Sequence, residues 1–343
     1  MPDLEFNEKL LSQIPAVELL VNLGYEYMSP EKAVDERQGR LSNVILESVL
    51  RKKLKEINRI YHKGKEYLFS EENIQSAVQK IKNIKYDGLL KTNESVYDLL
   101  TLGTALEQNI EGDLKSFDLN YIDWRNPGNN VFHVTPEFSV ERSRSTETAR
   151  PDIVLFVNGI PFCVIECKSP TEEISQGISQ MIRNQTAEYI PHMFIYTQMV
   201  LSVNKNNAKY ATAGTSEKFW GVWKEPGMGV TENEYKKLQE TINKRIPAES
   251  LKEISRYFKV STDRLNQERL VSEQDKSVYA LCRPGRLLEL TWKYTLFDGG
   301  IKKIARYQQY QVIKSTLERI RSFDENGRRK GGIIWHTQGS GKS

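Results

Sequence analysis

The sequence predicts an α/β chain: a mixed β-sheet flanked by helices, then a helical connector, then an apolar strand running into a glycine-rich turn. Three observations predict it. Residues 150–168 hold two β-rich runs, Ile153–Val157 and Ile160–Cys167, on either side of Asn158-Gly159. That dipeptide best tolerates the positive φ angles of a tight hairpin turn. Apolar residues recur at helical spacing before and after the hairpin. At the far end, residues 333–335 form a short apolar run that leads through His336 into Gly339-Ser-Gly341-Lys342-Ser343, the pattern of a phosphate-cradling turn.

In order along the chain, Pro15 opens a helix whose apolar face is Val17, Leu19, Leu20 and Leu23, ending at Gly24. A second helix is expected from Ser42, with Ile45, Leu46, Val49, Leu50 and Leu54 as its stripe. Helices should continue to Asn109. The texture then changes to short β-like pieces at 117–123, 131–135 and 137–140, ahead of the hairpin. A polar helix follows it, and 193–196 and Met199–Val203 read as further strands. Segments 210–212 and 219–223 read as edge strands or aromatic packing, with Trp220 and Trp223 in the core. Glu225-Pro-Gly-Met-Gly marks a boundary. A Glu- and Lys-rich helical region at 232–253, broken at Pro247, and a polar stretch through Asp275 make the connector. Segments 287–292 and 294–297 pack at its end, and Asp298-Gly-Gly closes it. A helix is expected over 302–323. The units are therefore 1–225, 226–300 and 301–343.

Composition excludes more than it assigns. Lys and Arg total 49 against 45 Asp and Glu, a formal charge of +4 over 343 residues. That balance is too mild to imply nucleic acid by itself, so any such contact must come from local patches. Three cysteines, Cys163, Cys167 and Cys282, with His62, His133 and His192 scattered, offer no zinc spacing. The start, Met-Pro-Asp-Leu-Glu-Phe, lacks the basic and apolar regions of a signal peptide. No apolar run reaches membrane-spanning length. A soluble, cytoplasmic protein is the expectation.

The hairpin carries the chemistry. Alternation along a strand puts Glu166 and Lys168 on one face with Phe162 and Val164, and Cys163, Ile165 and Cys167 on the other. Asp152 stands at the start of the partner strand, where pairing across the turn brings it beside Glu166. Two carboxylates and an ammonium on one wall suit a hard, oxygen-liking cation that activates water against a phosphodiester. Asp152, Glu166 and the Cys167 carbonyl are the expected Mg²⁺ ligands. Lys168 would steady the nucleophile or the developing charge, with burial expected to lower its pKa. A strand ending Glu-x-Lys also occurs on solvated sheet faces. Here the strand is otherwise apolar, where charges are costly unless paired or bound to metal.

Pro151-Asp152 followed by Glu166-Cys167-Lys168 resembles the PD-(D/E)xK nuclease superfamily. The resemblance implies a restriction-endonuclease-like sheet, an Asp and a Glu on Mg²⁺, and a Lys assisting the attacking water. The segment from Gln176 to Tyr189 is similar to the helix of the RecB-like branch, which bears a Gln-x-x-x-Tyr motif. That branch includes the motor subunits of type I restriction enzymes. Gln180 stands at the expected distance but is followed by Asn184 where the motif has Tyr; Gln185 with Tyr189 fits the letters and lies further on. Gln180 is taken by distance, with Gln185 as the alternative. Nucleases of the superfamily often add an acid from an early helix, which makes Glu47 a candidate third ligand outside the chosen set.

Arg306 and Gln309 resemble the Arg-x-x-Gln element that precedes the P-loop in superfamily 2 helicases and contacts the adenine of ATP there. Gly339, Gly341, Lys342 and Ser343 match the P-loop, with His336 standing where the pattern usually has Gly. With no following helix and no acidic Walker B strand in the sequence, weak nucleotide binding and no hydrolysis are expected of this chain. The order of motifs implies an endonuclease joined to the start of a RecA-like, ATP-driven DNA translocase, as in the restriction subunit of a type I system. The implied partners are double-stranded DNA and the methyltransferase and specificity subunits. Two alternatives stay open: a repair-type helicase–nuclease, and a degenerate nuclease fold that only docks DNA or partners.

Overall fold

Backbone hydrogen bonds join six strands into one mixed sheet: β1 (Glu26–Tyr27), β2 (Phe132–Pro136), β3 (Ile153–Val157), β4 (Ile160–Cys167), β5 (Met199–Val203) and β6 (Ala208–Ala211), neighbours in that order. The structure is a computed structural model and describes residues 8–335. β1–β2 and β4–β5 are parallel; the other three pairings are antiparallel. The β3–β4 hairpin has the limits read from the sequence, and Asn158 (φ 51°) and Gly159 (φ 82°) make its turn. A Cβ on Gly159 would stand 2.5 Å from the Leu46 carbonyl, so this turn needs glycine for space as well as for φ.

β2 to β5 are buried along their whole length, because helices cover both faces. On one side lies α1 (Ile14–Asn22), preceded by a π-helical turn over Lys9–Gln13. On the other lies α2 (Ile174–Asn184), whose Gly177 touches the Lys168 stem and Ser202.

Several sequence expectations are corrected. The first helix begins at Lys9, well before Pro15, and the wider π turn accommodates a residue with no N–H to donate. The second begins at Glu47, not Ser42; Leu46 donates its N–H to the Gly159 carbonyl at 2.8 Å instead of joining a helix. Helices do not run on to Asn109. Ile60–His62 pairs with Lys65–Tyr67, and Thr104–Ile110 with Asp113–Leu119, in two hairpins. Segment 193–196 is not a strand: Pro191–Phe194 is a helical turn opened by proline. Segment 219–223 makes only an isolated bridge, Tyr210 to Gly221, with Trp220 and Trp223 buried beside it. Of residues 137–140 only Val140 is in a strand, Val140–Glu141, which pairs with Thr148–Ala149; Glu137 takes a φ of 43° and breaks from the sheet. The expected helix over 302–323 starts late: Ile301–Ile304 is a strand and the helix is Tyr307–Arg321. Residues 333–335 are in no strand, and Ile333 and Trp335 are almost fully exposed.

The region read as a connector packs into the same core as the sheet. Its helices include α3 (Ala248–Phe258) and α4 (Glu273–Cys282), and α4 lies along α1. Ser12 donates to Gln274 at 2.7 Å, and Tyr25 donates to the Cys282 carbonyl at 2.7 Å. Position 300/301 falls in the turn of a hairpin, Thr295–Asp298 with Ile301–Ile304. Lys302 of that hairpin is buried, and its Nζ donates to Asn93 Oδ1 at 2.7 Å and Gln198 Oε1 at 2.5 Å. Helix α5 (Tyr307–Arg321) follows. No helix among the described residues is long and apolar enough to cross a membrane.

Candidate active site

At the open end of the β3–β4 hairpin the register places Ile153 opposite Ile165, so Asp152 enters beside Glu166. One Asp152 oxygen accepts the Cys167 N–H at 2.7 Å. Its backbone carbonyl is held twice at 2.8 Å, by the Gln13 amide and by the Glu137 N–H. The Glu166 side chain has no exposed surface, and Lys168 Nζ lies 3.4 Å from its Oε1. Glu166 Oε2 is buried without a hydrogen-bond donor. Across from Lys168 stands Glu8, with Oε2 3.6 Å from Nζ.

The electrostatics follow from crowding. Burial pushes the Glu166 carboxyl well above the ordinary range, the Asp152 charge adds to that, and Lys168 opposes it. Asp152 is raised by burial, partly offset by the Cys167 N–H and Lys168. Glu8 is raised by burial and by Asp152. For Lys168, burial pushes down, but Glu166, Asp152 and Glu8 together more than offset it. The expectation of a lowered Lys168 pKa is therefore reversed: its neighbours are acids, and they hold it as an ammonium.

Two carboxyls facing each other in a buried place are costly when both are ionised; a proton held between Glu166 and Asp152, or a divalent cation, relieves that cost. The two adjacent carboxylates, Asp152 and Glu166, fit Mg²⁺, which takes one or two protein carboxylates and keeps several waters. No group of three or more His, Cys, Asp or Glu placed to hold a metal occurs among the described residues.

The other candidates are placed as follows. Gln180 lies on α2 one turn beyond Gly177 and is half-buried. Gln185 is occupied elsewhere: its amide donates to the Met181 carbonyl at 2.9 Å and accepts the Gly214 N–H at 2.7 Å. Glu47 is not brought to the site. It sits at the turn end of the hairpin, paired with Lys82, while Asp152 is at the other end. The early-helix acid that does reach the site is Glu8. The signal for it was in the sequence, because Leu10, Ile14 and Val17 carry the apolar stripe of α1 back past Pro15. Arg306 and Gln309 line a cleft of about 1340 Å³ with Tyr210, Thr212 and Ile313. Gln309 Oε1 accepts the Arg306 N–H at 2.9 Å at the start of α5. Gly339, Gly341, Lys342 and Ser343, with His336, lie outside the described residues.

One hairpin of the buried sheet gathers two acids and a lysine. Comparisons with known proteins place the chain in a family. The family model for the type I restriction enzyme R protein N terminus matches residues 5–219, and the model for SWI2/SNF2 ATPases matches residues 308–343. The chain is 27% identical to the type I restriction enzyme HindI endonuclease subunit of Haemophilus influenzae, over 98% of this chain and 29% of that protein. It is 26% identical to a type I restriction enzyme MjaIXP endonuclease subunit, described as putative, of Methanocaldococcus jannaschii, over 99% of this chain and 30% of that protein. The chain belongs to the type I restriction enzyme R protein family. It spans about 30% of the length of these relatives.

Proposed function

We propose that this chain is the Mg²⁺-dependent endonuclease part of a type I restriction subunit, cutting DNA phosphodiesters at the Asp152–Glu166–Lys168 wall. The observation that carries the reading is the buried, donor-less Glu166 Oε2 set against Asp152. Asp152, Glu166 and the Cys167 carbonyl would hold the cation. A bound Mg²⁺ supplies a more acidic water and neutralises charge on the phosphate. The protein supplies the rest. The Cys167 N–H and the two donors on the Asp152 carbonyl fix that carboxylate in place. Lys168, kept protonated by its acids, stabilises the negative charge that builds on the phosphate oxygens. Gln180 would help orient the water or the phosphate from α2.

In the full-length subunit we assign ATP to the cleft at Arg306 and Gln309, with Gly339, Gly341, Lys342 and Ser343 as the phosphate turn. The subunit would act in the cytoplasm on double-stranded DNA, together with methyltransferase and specificity subunits that read the sequence. It would cut after ATP-driven translocation, and this region would meet DNA mainly through phosphates. The test is cleavage of circular DNA by the assembled complex with ATP and Mg²⁺. Activity that persists at the wild-type rate after Glu166→Ala contradicts the assignment.

A further inference from the structure

We propose that Glu137 is a positioning residue for Asp152, and that through it the connector helix α3 helps set the carboxylate pair; the inference rests on the nuclease reading above. Glu137 follows β2 with a φ of 43°, a left-handed backbone that a glutamate rarely adopts. That conformation aims its N–H at the Asp152 carbonyl, 2.8 Å away. Strained backbone persists where the surroundings hold it, and here the side chain does the holding. One carboxylate oxygen takes Lys9 Nζ at 2.5 Å and the other takes the Tyr257 hydroxyl at 2.9 Å.

Each contact comes from a different part of the chain. Lys9 belongs to the turn before α1, next to Glu8, which pairs with Lys168. Tyr257 belongs to α3. Burial pushes the Glu137 carboxyl up, but hydrogen bonds from Lys9 and Tyr257 outweigh it and hold it below the ordinary range, so both donors meet a carboxylate. Without the side chain, the anchors from Lys9 and Tyr257 that support the positive φ of residue 137 are lost. The Asp152 carbonyl then keeps only the Gln13 amide, and the strand end that presents the carboxylate loosens against Glu166. Partners one step behind a metal ligand act on affinity in this way.

The test measures Mn²⁺ binding to the full-length subunit by calorimetry, beside the Mg²⁺ dependence of cleavage by the assembled complex. Glu137→Ala should weaken Mn²⁺ about 10-fold or more. It should raise the Mg²⁺ needed for half-maximal cleavage by a similar factor, with a smaller effect at saturating Mg²⁺. Glu137→Gln, which keeps an acceptor for Tyr257, should recover most of the affinity. Tyr257→Phe should fall between wild type and Glu137→Ala. Wild-type Mn²⁺ affinity and Mg²⁺ dependence in both Glu137→Ala and Tyr257→Phe overturn the proposal. Should Glu137→Ala not fold, Tyr257→Phe decides alone, because it leaves the Lys9 contact in place. Wild-type protein with no Mn²⁺ site that Glu166→Ala removes overturns the nuclease reading, and this inference with it.

Discussion

Glu166 shows what one residue costs and what it is for. Its carboxyl is fully buried, its neighbour is a second acid, and one of its oxygens has no donor. Stability alone does not favour such an arrangement, since an apolar side chain on β4 would remove the penalty. Lys168 is the compensating charge on the same strand face. Replacing either Glu166 or Lys168 by Ala should abolish cleavage by the assembled complex while the far-UV circular dichroism stays as in the wild type. A second acid allows a separate pH test. Glu18 on α1 is raised to about 7, first by burial and then by Asp275, against Arg269 and Arg264. Its folded pKa exceeds the unfolded 4.5, so the folded state binds the proton more tightly. Its contribution is complete below pH ~4.5 and is lost as pH rises through ~7. Glu18→Gln should therefore be the more stable protein at pH 8, by about 3 kcal/mol at most, and should level the decline seen in denaturant titrations between pH 5 and 7.

Among the elements, α2 shows how close packing builds the site. Gly177 brings the helix backbone onto the hairpin wall. An added Cβ would stand 2.3 Å from Ser202 Oγ and 3.3 Å from Lys168 Cγ. Gly177→Ala should cost about 1–3 kcal/mol of unfolding free energy, the usual range for overpacking. It should also lower cleavage by displacing the Lys168 stem; unchanged stability and activity would show α2 to sit further out. Legibility differs by element for physical reasons. The β3–β4 hairpin and β5 were readable because their residues are buried on both faces and read as continuous apolar runs, and Asn158-Gly159 fixes the turn. The hairpin Thr104–Ile110 with Asp113–Leu119 was not, because its strands are largely exposed and lined with charge. Helix α1 was found but begun too late at Pro15, and Glu8 was lost with its first turn. Met193 and Phe194 suggested a strand, yet Pro191 opens a helical turn that buries both. Convergence of Asp152, Glu166 and Lys168 was readable from hairpin register; Glu137 was not, since a positive φ leaves no mark in a glutamate.

At the scale of the whole molecule, the connector is part of the fold that carries the site. Val278, Ala280, Leu281 and Cys282 of α4, with Leu287, Leu288 and Leu290 beyond it, are buried in the common core. The larger of these side chains contribute about 1.5–3 kcal/mol each, which together approaches the ~5–15 kcal/mol of a typical domain. A chain ending at residue 225 should therefore lose the cooperative thermal transition that a chain of residues 1–343 shows in calorimetry. A sharp transition at the same temperature in both would mean that the sheet and its N-terminal helices suffice. The packing also links the regions sequence had separated: Lys302 inserts between Asn93 and Gln198, and Tyr257 reaches Glu137.

The most direct test of the central claim is anomalous diffraction from crystals soaked in Mn²⁺. A peak is expected between the Asp152 and Glu166 carboxylates, within reach of the Cys167 carbonyl, and it should disappear in Glu166→Gln. Crystals with no peak there, or with Mn²⁺ bound only at other acids, would contradict it.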